Sequence, residues 1–404
     1  MKKGPLAGII VLDWTQWQMG PVAAAMLADL GADVIHIEHY ISGDPGRGLT
    51  MQSTPDLPNG KNSYFEVNNR GKKSITINLQ TEEGREVIYR LIKKADVFVH
   101  NYRPGIPEKL KVDYETLRKY NPKLIYAAAS GFGEKGPDAE RGALDMVGLA
   151  RSGVSTFLGD DDDPSFPHYG GLADQLGAIF TAYGIMTALV ARERYGIGQK
   201  IDSSLMMSLL FWQGLELGKG FFLNRPFVQQ KRRCAKNALW NYYKASDGKW
   251  IVLAMLQSQR YWPDICRALG LAHLLSDTRF DNAIVREKNC EELITIFDET
   301  FITKTSAEWD NIFRSGFDII YAPVRSINDL ANDPQVIANN YILDYNHRVL
   351  GSVKILGLPV SLNKTPGEVI AEAPEFGQHT EEVLMELGGY TWDEISELRN
   401  KQAI

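Results

Sequence analysis

Short apolar runs alternate with helical segments along the first half of this chain, and this alternation constrains the fold more than any other feature. Gly20 and Pro21 open one helical segment, and Gly31 ends it before the next apolar run. The pattern predicts strands at residues 9–12, 34–37, 74–77, 97–99, 124–128 and 201–204. Strands separated by helices form a parallel sheet that is covered on both faces, so we predict an open, Rossmann-like α/β fold.

The pattern changes in the middle of the chain. Apolar runs at residues 240–244 and 249–253 flank Ser246-Asp247-Gly248, which predicts a β-hairpin. Helical segments follow at residues 261–269, 282–300 and 306–314, and mixed strand and helix return after residue 323. A chain of 404 residues is long enough for two or three domains, so we predict a smaller α+β domain at residues 225–325.

Charge, cysteine spacing and hydropathy argue against several classes of protein. There are 44 Lys and Arg against 50 Asp and Glu, and no basic arm is present, so nucleic acid is not an expected partner. The three cysteines lie far apart without a CxxC pair, which fits a reducing cytoplasm. The longest nearly apolar run, residues 180–191, is shorter than the ~20 residues that cross a bilayer. We expect a soluble, cytoplasmic protein without membrane contact.

Motifs for most cofactor chemistries are incomplete. The stretch Gly214 to Gly220 suggests a phosphate loop, but its spacing is one residue short and no Ser or Thr follows Lys219. The first βα turn, residues 13–20, lacks the glycine triplet of a dinucleotide site, and the chain contains no HExxH pair and no Gly-x-Ser-x-Gly elbow. We expect no metal site, and carboxylate chemistry remains as the enzymatic option.

Asp174 is the carboxylate with the best-defined surroundings. The sequence Gly-Gly-Leu-Ala-Asp-Gln at residues 170–175 delivers it to the start of an apolar helix, residues 175–192, which we expect to be buried. Free N–H groups and the positive end of the helix macrodipole stabilise an ionised carboxylate at such a position. A helix cap and a nucleophile have the same requirement, so local physics leaves both interpretations open.

Several motifs occur in one order along the chain. The opening unit at residues 11–38 contains Leu12-Asp13, Gly20-Pro21 and Gly31-Ala32-Asp33. The motifs that follow it are Asn69-Arg70-Gly71-Lys72-Lys73-Ser74-Ile75, Asn101-Tyr102-Arg103-Pro104-Gly105, Gly131-Phe132-Gly133, Arg194-x-x-x-Gly198-Gln199-Lys200 and residues 373–380. In this order they resemble the family III CoA-transferases, the CaiB/BaiF family, over nearly the whole chain.

The resemblance implies a function and two catalytic residues. In that family the aspartate matching Asp174 attacks an acyl-CoA thioester, and CoA passes to an acceptor carboxylate through an aspartyl anhydride and an aspartyl-CoA thioester. Asp145 matches a second acid near the nucleophile, which orients the reacting groups; an ordinary loop or cap carboxylate is the alternative. CoA and acyl-CoA are then substrates, and no tightly bound cofactor is expected.

The same resemblance implies residues that bind CoA. It assigns them to Gln18 near the thioester and to His39, Asn101, Tyr102, Arg103 and Lys109 near the nucleotide. Arg103 and Lys109 would meet phosphate charge, and Tyr102 either stacks on adenine or packs in the core. His39 stands where some relatives carry Arg, so its cationic contact is expected to be weaker or pH-dependent.

Two other functions are weighed against CoA transfer. Related α-methylacyl-CoA racemases pair the carboxylate with a histidine, and this chain has Leu144 at that position, so racemisation lacks its second base. A non-catalytic CoA-ester-binding subunit of a hetero-oligomer is the other alternative, and the intact Asp174 argues against it. Residues 233–238 also replace a glycine-rich lid loop of some members, which leaves an equivalent lid in doubt.

The family architecture is an interlocked homodimer whose large domain is built from both chain ends. For this chain it implies a large α/β domain from residues 1–224 and 326–404 around the small domain at residues 225–325. Similarity to the carnitine, aryl-lactate and 2-hydroxyacyl branches implies a bulky or functionalised organic acid. The sequence does not name the acyl-CoA donor or the acceptor acid.

Overall fold

The computed structural model describes residues 3–48, 56–159, 170–229, 231–370 and 372–404. The chain divides into two compact units, Met1–Arg225 with Ile337–Ile404, and Pro226–Val336. The described strands are β1 Ile10–Trp14, β2 Asp33–His39, β3 Lys73–Ile77, β4 Val97–His100, β5 Ile125–Ser130, β6 Gln199–Ser204, β7 Trp240–Lys244, β8 Trp250–Ala254, β9 Tyr321–Pro323, β10 Ile342–His347 and β11 Gly351–Leu356.

The helices follow the strands as the alternation predicts for most of the first unit. The described helices are α1 Met19–Asp29, α2 Ser63–Asn68, α3 Glu82–Ile92, α4 Ile106–Lys109, α5 Tyr114–Leu117, α6 Asp145–Arg151, α7 Val154–Leu158, α8 Leu172–Tyr195, α9 Leu205–Trp212, α10 Gly214–Leu223, α11 Ser258–Ala268, α12 Ala283–Lys288, α13 Cys290–Phe301, α14 Ser306–Arg314, α15 Pro334–Ala338, α16 Thr380–Glu386 and α17 Trp392–Asn400.

The first unit is built on a parallel sheet of six strands in the order β3-β2-β1-β4-β5-β6. The predicted parallel α/β fold is therefore confirmed. The strand order reverses between β1 and β4, and ligands of such sheets bind outside the carboxyl ends of the strands at that reversal. The fold thus identifies one sheet edge as the place to look for a site.

Neighbouring residues of β1 and β4 face opposite sides of the sheet and fix its two cores. Leu12 and Phe98 are fully buried among the side chains of α3, α16 and α17. Val11 and Val97 are fully buried on the other side, against α1 and α8. Each such side chain contributes roughly 1.5–3 kcal/mol by leaving water, so the strands are anchored from both faces.

In the single chain, the 24-residue helix α8 is buried on one face and exposed on the other, so the expected burial is found only in part. Ala178 and Ala182 pack closely on α1, whereas Ile179, Tyr183 and Val190 are exposed. Within the described ranges α8 is the one helix long and apolar enough to cross a bilayer, and 44% of that apolar window is buried in the fold. Core helices of soluble proteins have the same length and composition.

The second unit contains the antiparallel sheet β7-β8-β9, which confirms the predicted hairpin. Its core is aromatic: Tyr243, the fourth residue of β7, is fully buried and stacks on Phe301 with ring centroids 4.8 Å apart. The single helix expected at residues 282–300 is two helices. Asn289 leaves the helical conformation between them, and its side-chain amide donates to the carbonyl of Arg279.

Candidate active site

A cavity of about 910 Å³ opens at the carboxyl ends of β1, β4 and β5, at the reversal of strand order. Its walls come from the segments that leave these strands and from the starts of α6, α8 and α9. The lining residues used below are Gln16, Trp17, Gln18, Tyr64, Asn101, Tyr102, Arg103, Leu144, Asp145, Gly171 and Asp174. All of them belong to the first unit.

Asn101 joins the two segments that meet at the strand reversal. Its Oδ1 accepts a hydrogen bond from the backbone N–H of Gln16 at 2.9 Å, and its Nδ2 donates to the carbonyl of Gln16 at 2.7 Å. Such a side chain replaces a pair of ladder hydrogen bonds where the strands have already separated. Asn101 therefore fixes the segment after β1 to the segment after β4.

Gln18 fixes the same segment to the start of α8. Its Nε2 donates to the carbonyl of Gly170 at 2.9 Å. A Cβ at Gly171 would lie 2.5 Å from that Nε2, and the φ of Gly171 is +81°. Both the close approach and the left-handed backbone require glycine at this position. The glycine-rich approach noted in the sequence thus lets the backbone come up against Gln18.

The helix cap of α8 is Asp145, not Asp174. The Oδ1 of Asp145 accepts the backbone N–H groups of Ala173 at 2.7 Å and Asp174 at 3.1 Å. Asp174 makes no capping hydrogen bond with its side chain, and within the described part of the chain its carboxylate has no hydrogen-bond or ion-pair partner. Of the two interpretations that local sequence left open for Asp174, the cap is excluded.

The ionisation of Asp174 is set by its surroundings. Burial, together with the negative charge of Asp145, raises the pKa of Asp174 from 3.8 to about 7. At neutral pH the carboxyl group of Asp174 therefore lies close to its titration midpoint. A carboxyl group with a strongly raised pKa on a cavity wall is a recognised mark of a functional site.

A fully buried group of charges lies behind the segment after β1. Lys72 Nζ donates to Asp13 Oδ2 at 2.7 Å, and His36 Nδ1 lies 3.0 Å from the same oxygen. On its other side, His36 Nε2 lies 3.4 Å from Asp44 Oδ2. Asp44 Oδ1 then accepts the backbone N–H of Trp17 at 3.1 Å. We call Asp13, His36, Asp44 and Lys72 the buried charge network.

The network holds a strained residue at the cavity wall. Trp17 has φ +67°, a value that residues other than glycine adopt at a cost. The side chains of Asp13, His36 and Lys72 are completely buried. Positive and negative groups alternate along the network, with 3.4 Å or less between the charged atoms of each pair, so its charges compensate one another in the interior. The network can therefore support the Trp17 backbone through Asp44.

The partners in the network shift each other's pKa. Burial alone would raise the pKa of Asp13, but Lys72 and His36 outweigh burial and hold the pKa at about 2. Burial alone would lower the pKa of His36, but Asp13 raises it to about 9. At neutral pH His36 is therefore an imidazolium between two carboxylates.

The structure brings six of the eight predicted site residues to one cavity: Asp174, Asp145, Gln18, Asn101, Tyr102 and Arg103. Tyr102 stacks on Trp14 with ring centroids 4.1 Å apart, so packing occupies one face of its ring. Arg103 is exposed at the cavity wall. Their roles toward CoA stay predictions.

The other two predicted residues lie away from the cavity wall. His39 ends β2 and is exposed, and its Nδ1 lies 3.0 Å from Ser42 Oγ. Lys109 ends α4 and is also exposed. Leu144, which occupies the racemase histidine position, does line the cavity. No three His, Cys, Asp or Glu side chains in the described ranges are grouped closely enough to hold a metal ion.

Sequence reasoning missed two contributors to the site. Tyr64 lines the cavity from the start of α2, and no motif around it points there. Asp44 supports Trp17 from behind, and the Gly-Asp-Pro turn at residues 43–45 was an available signal, because aspartate before proline commonly accepts hydrogen bonds in a turn.

The fold and the cavity define an α/β protein with two acidic side chains, Asp145 and Asp174, at the reversal of strand order, and comparison with known proteins identifies its family. Residues 6–380 match the family described as CoA-transferase family III. The cinnamoyl-CoA:phenyllactate CoA-transferase of Clostridium sporogenes is 30% identical over 401 residues, which cover 98% of this chain and 97% of that protein. The succinyl-CoA:glutarate CoA-transferase of Mus musculus is 31% identical over 396 residues, covering 98% and 89%.

A solved structure shows the same fold. A CaiB/BaiF family protein from Brucella suis superposes with a TM-score of 0.81 at 27% identity, over 96% of this chain and all of that one. The chain therefore belongs to CoA-transferase family III, as its motifs predicted. It is a CoA-transferase enzyme, and its substrates are CoA thioesters and carboxylates.

Proposed function

We propose that this enzyme transfers CoA from an acyl-CoA to an organic acid through covalent intermediates on Asp174. The carboxylate of Asp174 attacks the thioester carbonyl carbon. The carbon–sulfur bond breaks, CoA departs as a thiolate, and the acyl group remains on Asp174 as an aspartyl anhydride. The thiolate then attacks the aspartyl carbonyl and releases the donor acid. The acceptor carboxylate reverses both steps on the resulting aspartyl-CoA thioester, so the thioester bond is exchanged without hydrolysis.

One observation carries this proposal: Asp174 lies on the cavity wall with no hydrogen bond to its side chain, because Asp145 satisfies the helix start. A capping carboxylate is held by its hydrogen bonds, whereas a nucleophile must be free to form a bond to carbon. Desolvation also makes the carboxylate more basic, as its raised pKa shows, and a more basic carboxylate is a stronger nucleophile.

The proposal assigns supporting roles to the other cavity residues. Asp145 positions the Asp174 backbone, and Gln18, which is held beside the start of α8, contacts the thioester next to Asp174. Arg103 is the one Lys or Arg among the described residues that line the cavity, and it suits a phosphate or carboxylate group. Leu144 presents an apolar side chain in place of a second base, which favours transfer over α-proton chemistry.

A substitution tests the proposal directly. We expect Asp174→Ala to lower the rate of CoA transfer at least ~10³-fold. Loss of a covalent nucleophile removes the whole covalent route, whereas loss of a binding residue removes only a single contact. The matched control is Glu193→Gln, which removes an exposed acid from the far end of the same helix and leaves the rate unchanged. Transfer by Asp174→Ala at the wild-type rate would refute the covalent mechanism.

We also propose that the active form is the interlocked homodimer, with the two compact units as its large and small domains. Its support is an apolar surface along α8, α9 and α10, with exposed side chains at Ile179, Tyr183, Phe211, Phe221 and Phe222. Phe222 is 93% exposed in the single chain, and soluble proteins cover contiguous apolar surfaces of this kind.

The wide spacing of the cysteines supports a cytoplasmic location.

Light scattering after size exclusion tests the assembly. We expect a particle of twice the 45.3 kDa chain mass, since hydrophobic surface drives association. An interlocked pair exchanges subunits only after unfolding, so mixed tagged and untagged protein is expected to form no hybrids under native conditions. A monomer that is active in CoA transfer would contradict the proposal.

A further inference from the structure

The second unit contains a separate pocket of about 320 Å³, formed between the segment before β7, the start of α11 and helix α12. It lies wholly within residues Pro226–Val336. The polar residues that line it are Lys236, Asn237, Ser258, Arg286 and Glu287. None of them has a role in the covalent chemistry proposed for Asp174, although Lys236 and Asn237 belong to the segment 233–238 that stands in place of the lid loop of some family members.

Arg286 is a buried cation without a counterion. Its side chain belongs to a residue that is only 4% exposed, and its guanidinium stacks on Trp262 at 4.5 Å. Its Nη1 donates to the carbonyl of Phe280 and its Nη2 to Oε1 of Gln259, which are both neutral acceptors. Its Nε has no partner. Among the residues that the structure describes, no carboxylate oxygen lies within 4.0 Å of a guanidinium nitrogen of Arg286.

The buried positive charge of Arg286 is therefore costly in free energy and would be stabilised by a nearby negative charge. Burial lowers the pKa of Arg286, which reflects the cost of holding its charge away from water. Neutral acceptors satisfy hydrogen bonds but add no negative charge, and the charge of Asp281, beyond ion-pair distance, offsets only part of the cost of burial. Buried charges in proteins are normally paired. The remaining free donor, Nε, belongs to a residue that lines the pocket.

The start of α11 adds a second source of positive potential to the same pocket. This helix has eleven residues and begins at Ser258, and the preceding Gln257 makes no capping hydrogen bond with its side chain. The N–H of Arg260 donates to the carbonyl of Gln257, whereas those of Ser258 and Gln259 have no acceptor among the described residues, and such free N–H groups bind anions. Lys236 supplies a further exposed cation; its Nζ is 3.4 Å from Glu287 Oε1, a weak pair open to solvent.

We propose that this pocket binds a small oxyanion, the phosphate or carboxylate group of a small molecule. An oxyanion supplies the charge that Arg286 lacks, accepts from the open start of α11 and attracts Lys236. The negative charge of Glu287 at the rim limits the pocket to ligands that displace Glu287 from Lys236. Both kinds of group occur in the substrates of a CoA-transferase, as CoA phosphates and as organic acids.

Thermal unfolding in the presence of anions tests the site. Sodium phosphate and sodium acetate are titrated separately at constant ionic strength, with chloride as the balancing salt. The wild type is expected to be stabilised by at least one of them in a saturable manner, because a ligand that binds only the folded state raises its unfolding temperature. A response to phosphate alone identifies a phosphate group, and a response to acetate alone identifies a carboxylate.

Two matched variants localise the effect. Lys236→Glu is expected to weaken the apparent anion affinity roughly three- to tenfold by reversing one charge at the pocket. Lys249→Glu makes the same charge change in the exposed turn between β7 and β8 and is expected to leave the affinity unchanged. No saturable response to either anion, or equal weakening in both variants, overturns the proposal. Both lysines are exposed, so neither variant threatens folding.

Discussion

Two groups of carboxylates in the first unit have pKa values that are shifted in opposite directions. Asp174 faces another acid, Asp145, and its pKa is raised to about 7. Asp13 is even more deeply buried, yet Lys72 and His36 hold its pKa at about 2. Burial acts in the same direction on both, so the partners decide the outcome. The paired carboxylates support the wall of the cavity, and Asp174 has no cation or hydrogen-bond donor beside its carboxyl group among the described residues.

The largest expected effect is the loss of the pairing in the buried charge network. Lys72→Met is expected to lower the free energy of unfolding by about 3–5 kcal/mol, because it leaves the carboxylate of Asp13 buried with one cation fewer. Urea denaturation measures this change. The neighbouring variant Lys73→Met is the control, since it removes only a half-exposed ion pair with Glu382 and is expected to cost less than about 1 kcal/mol.

The pH dependence of the network sharpens the same test. The folded pKa of His36, about 9, exceeds its usual 6.5, so the contribution of His36 to stability is complete below pH 6.5 and is lost as the pH rises through 9. His36→Gln is therefore expected to destabilise the protein more at pH 6 than at pH 10. An equal loss at both pH values would mean that His36 is not held as an imidazolium.

Asp174 is also expected to lower stability as the pH rises, but for a different reason: the charged form of Asp174 is the unfavourable one, whereas the charged form of His36 is the stabilising one. Its folded pKa of about 7 exceeds its usual 3.8, so wild-type stability falls as the pH rises from about 4 to about 7. Asp174→Asn is neutral throughout, so it is expected to be more stable than the wild type at pH 8, with an upper limit of about 4 kcal/mol.

Denaturation at two pH values measures that difference. The stability of Asp174→Asn and the wild type is expected to converge below pH 3.8, where the carboxyl is neutral in both folded and unfolded states. Glu193→Gln on the same helix serves as the control and is expected to show no such divergence. If Asp174→Asn is inactive but less stable than the wild type at pH 8, the ionised Asp174 does not destabilise the fold. The proposed difference between Asp174 and Asp13 would then be wrong.

The smallest expected effect concerns Asp145. The wild-type rate of CoA transfer is expected to rise with pH and level off above about 7, as Asp174 ionises. Asp145→Asn keeps an oxygen that caps α8 but removes the negative charge, so the midpoint is expected to move to lower pH by less than about one unit, since burial is the larger cause of the shift. A pH–rate profile measures this, and a midpoint that moves upward would contradict it.

The sequence predicted the sheet well because its signals are local. The apolar runs at β1, β4 and β5 and the glycines around α1 each depend on a few neighbouring residues, and the parallel order follows from their alternation with helices. The break at Asn289 escaped prediction, because a side chain reaching back to the carbonyl of Arg279 decides it. The exposed face of α8 was not predicted for a related reason. Apolar composition does not show which faces of a helix are covered by neighbouring elements.

The site was predictable only in part. Asp174 carries a local signal, its glycine approach and helix start, but its release from capping depends on Asp145, 29 residues away. The buried charge network was invisible, because Asp13, His36 and Lys72 come from three different strands or their ends and become partners only through the strand order. Charge compensation between distant residues is a property of the fold and leaves no spacing pattern in the sequence.

Trapping of the intermediate tests the central claim most directly. The purified enzyme is incubated with an acyl-CoA and hydroxylamine, which captures activated carboxyl groups as hydroxamates, and the peptides are then analysed by mass spectrometry. The account predicts a hydroxamate on Asp174 that requires acyl-CoA, with Asp145 and Asp13 unmodified. An unmodified Asp174 in enzyme that has consumed its acyl-CoA under the same conditions would contradict it.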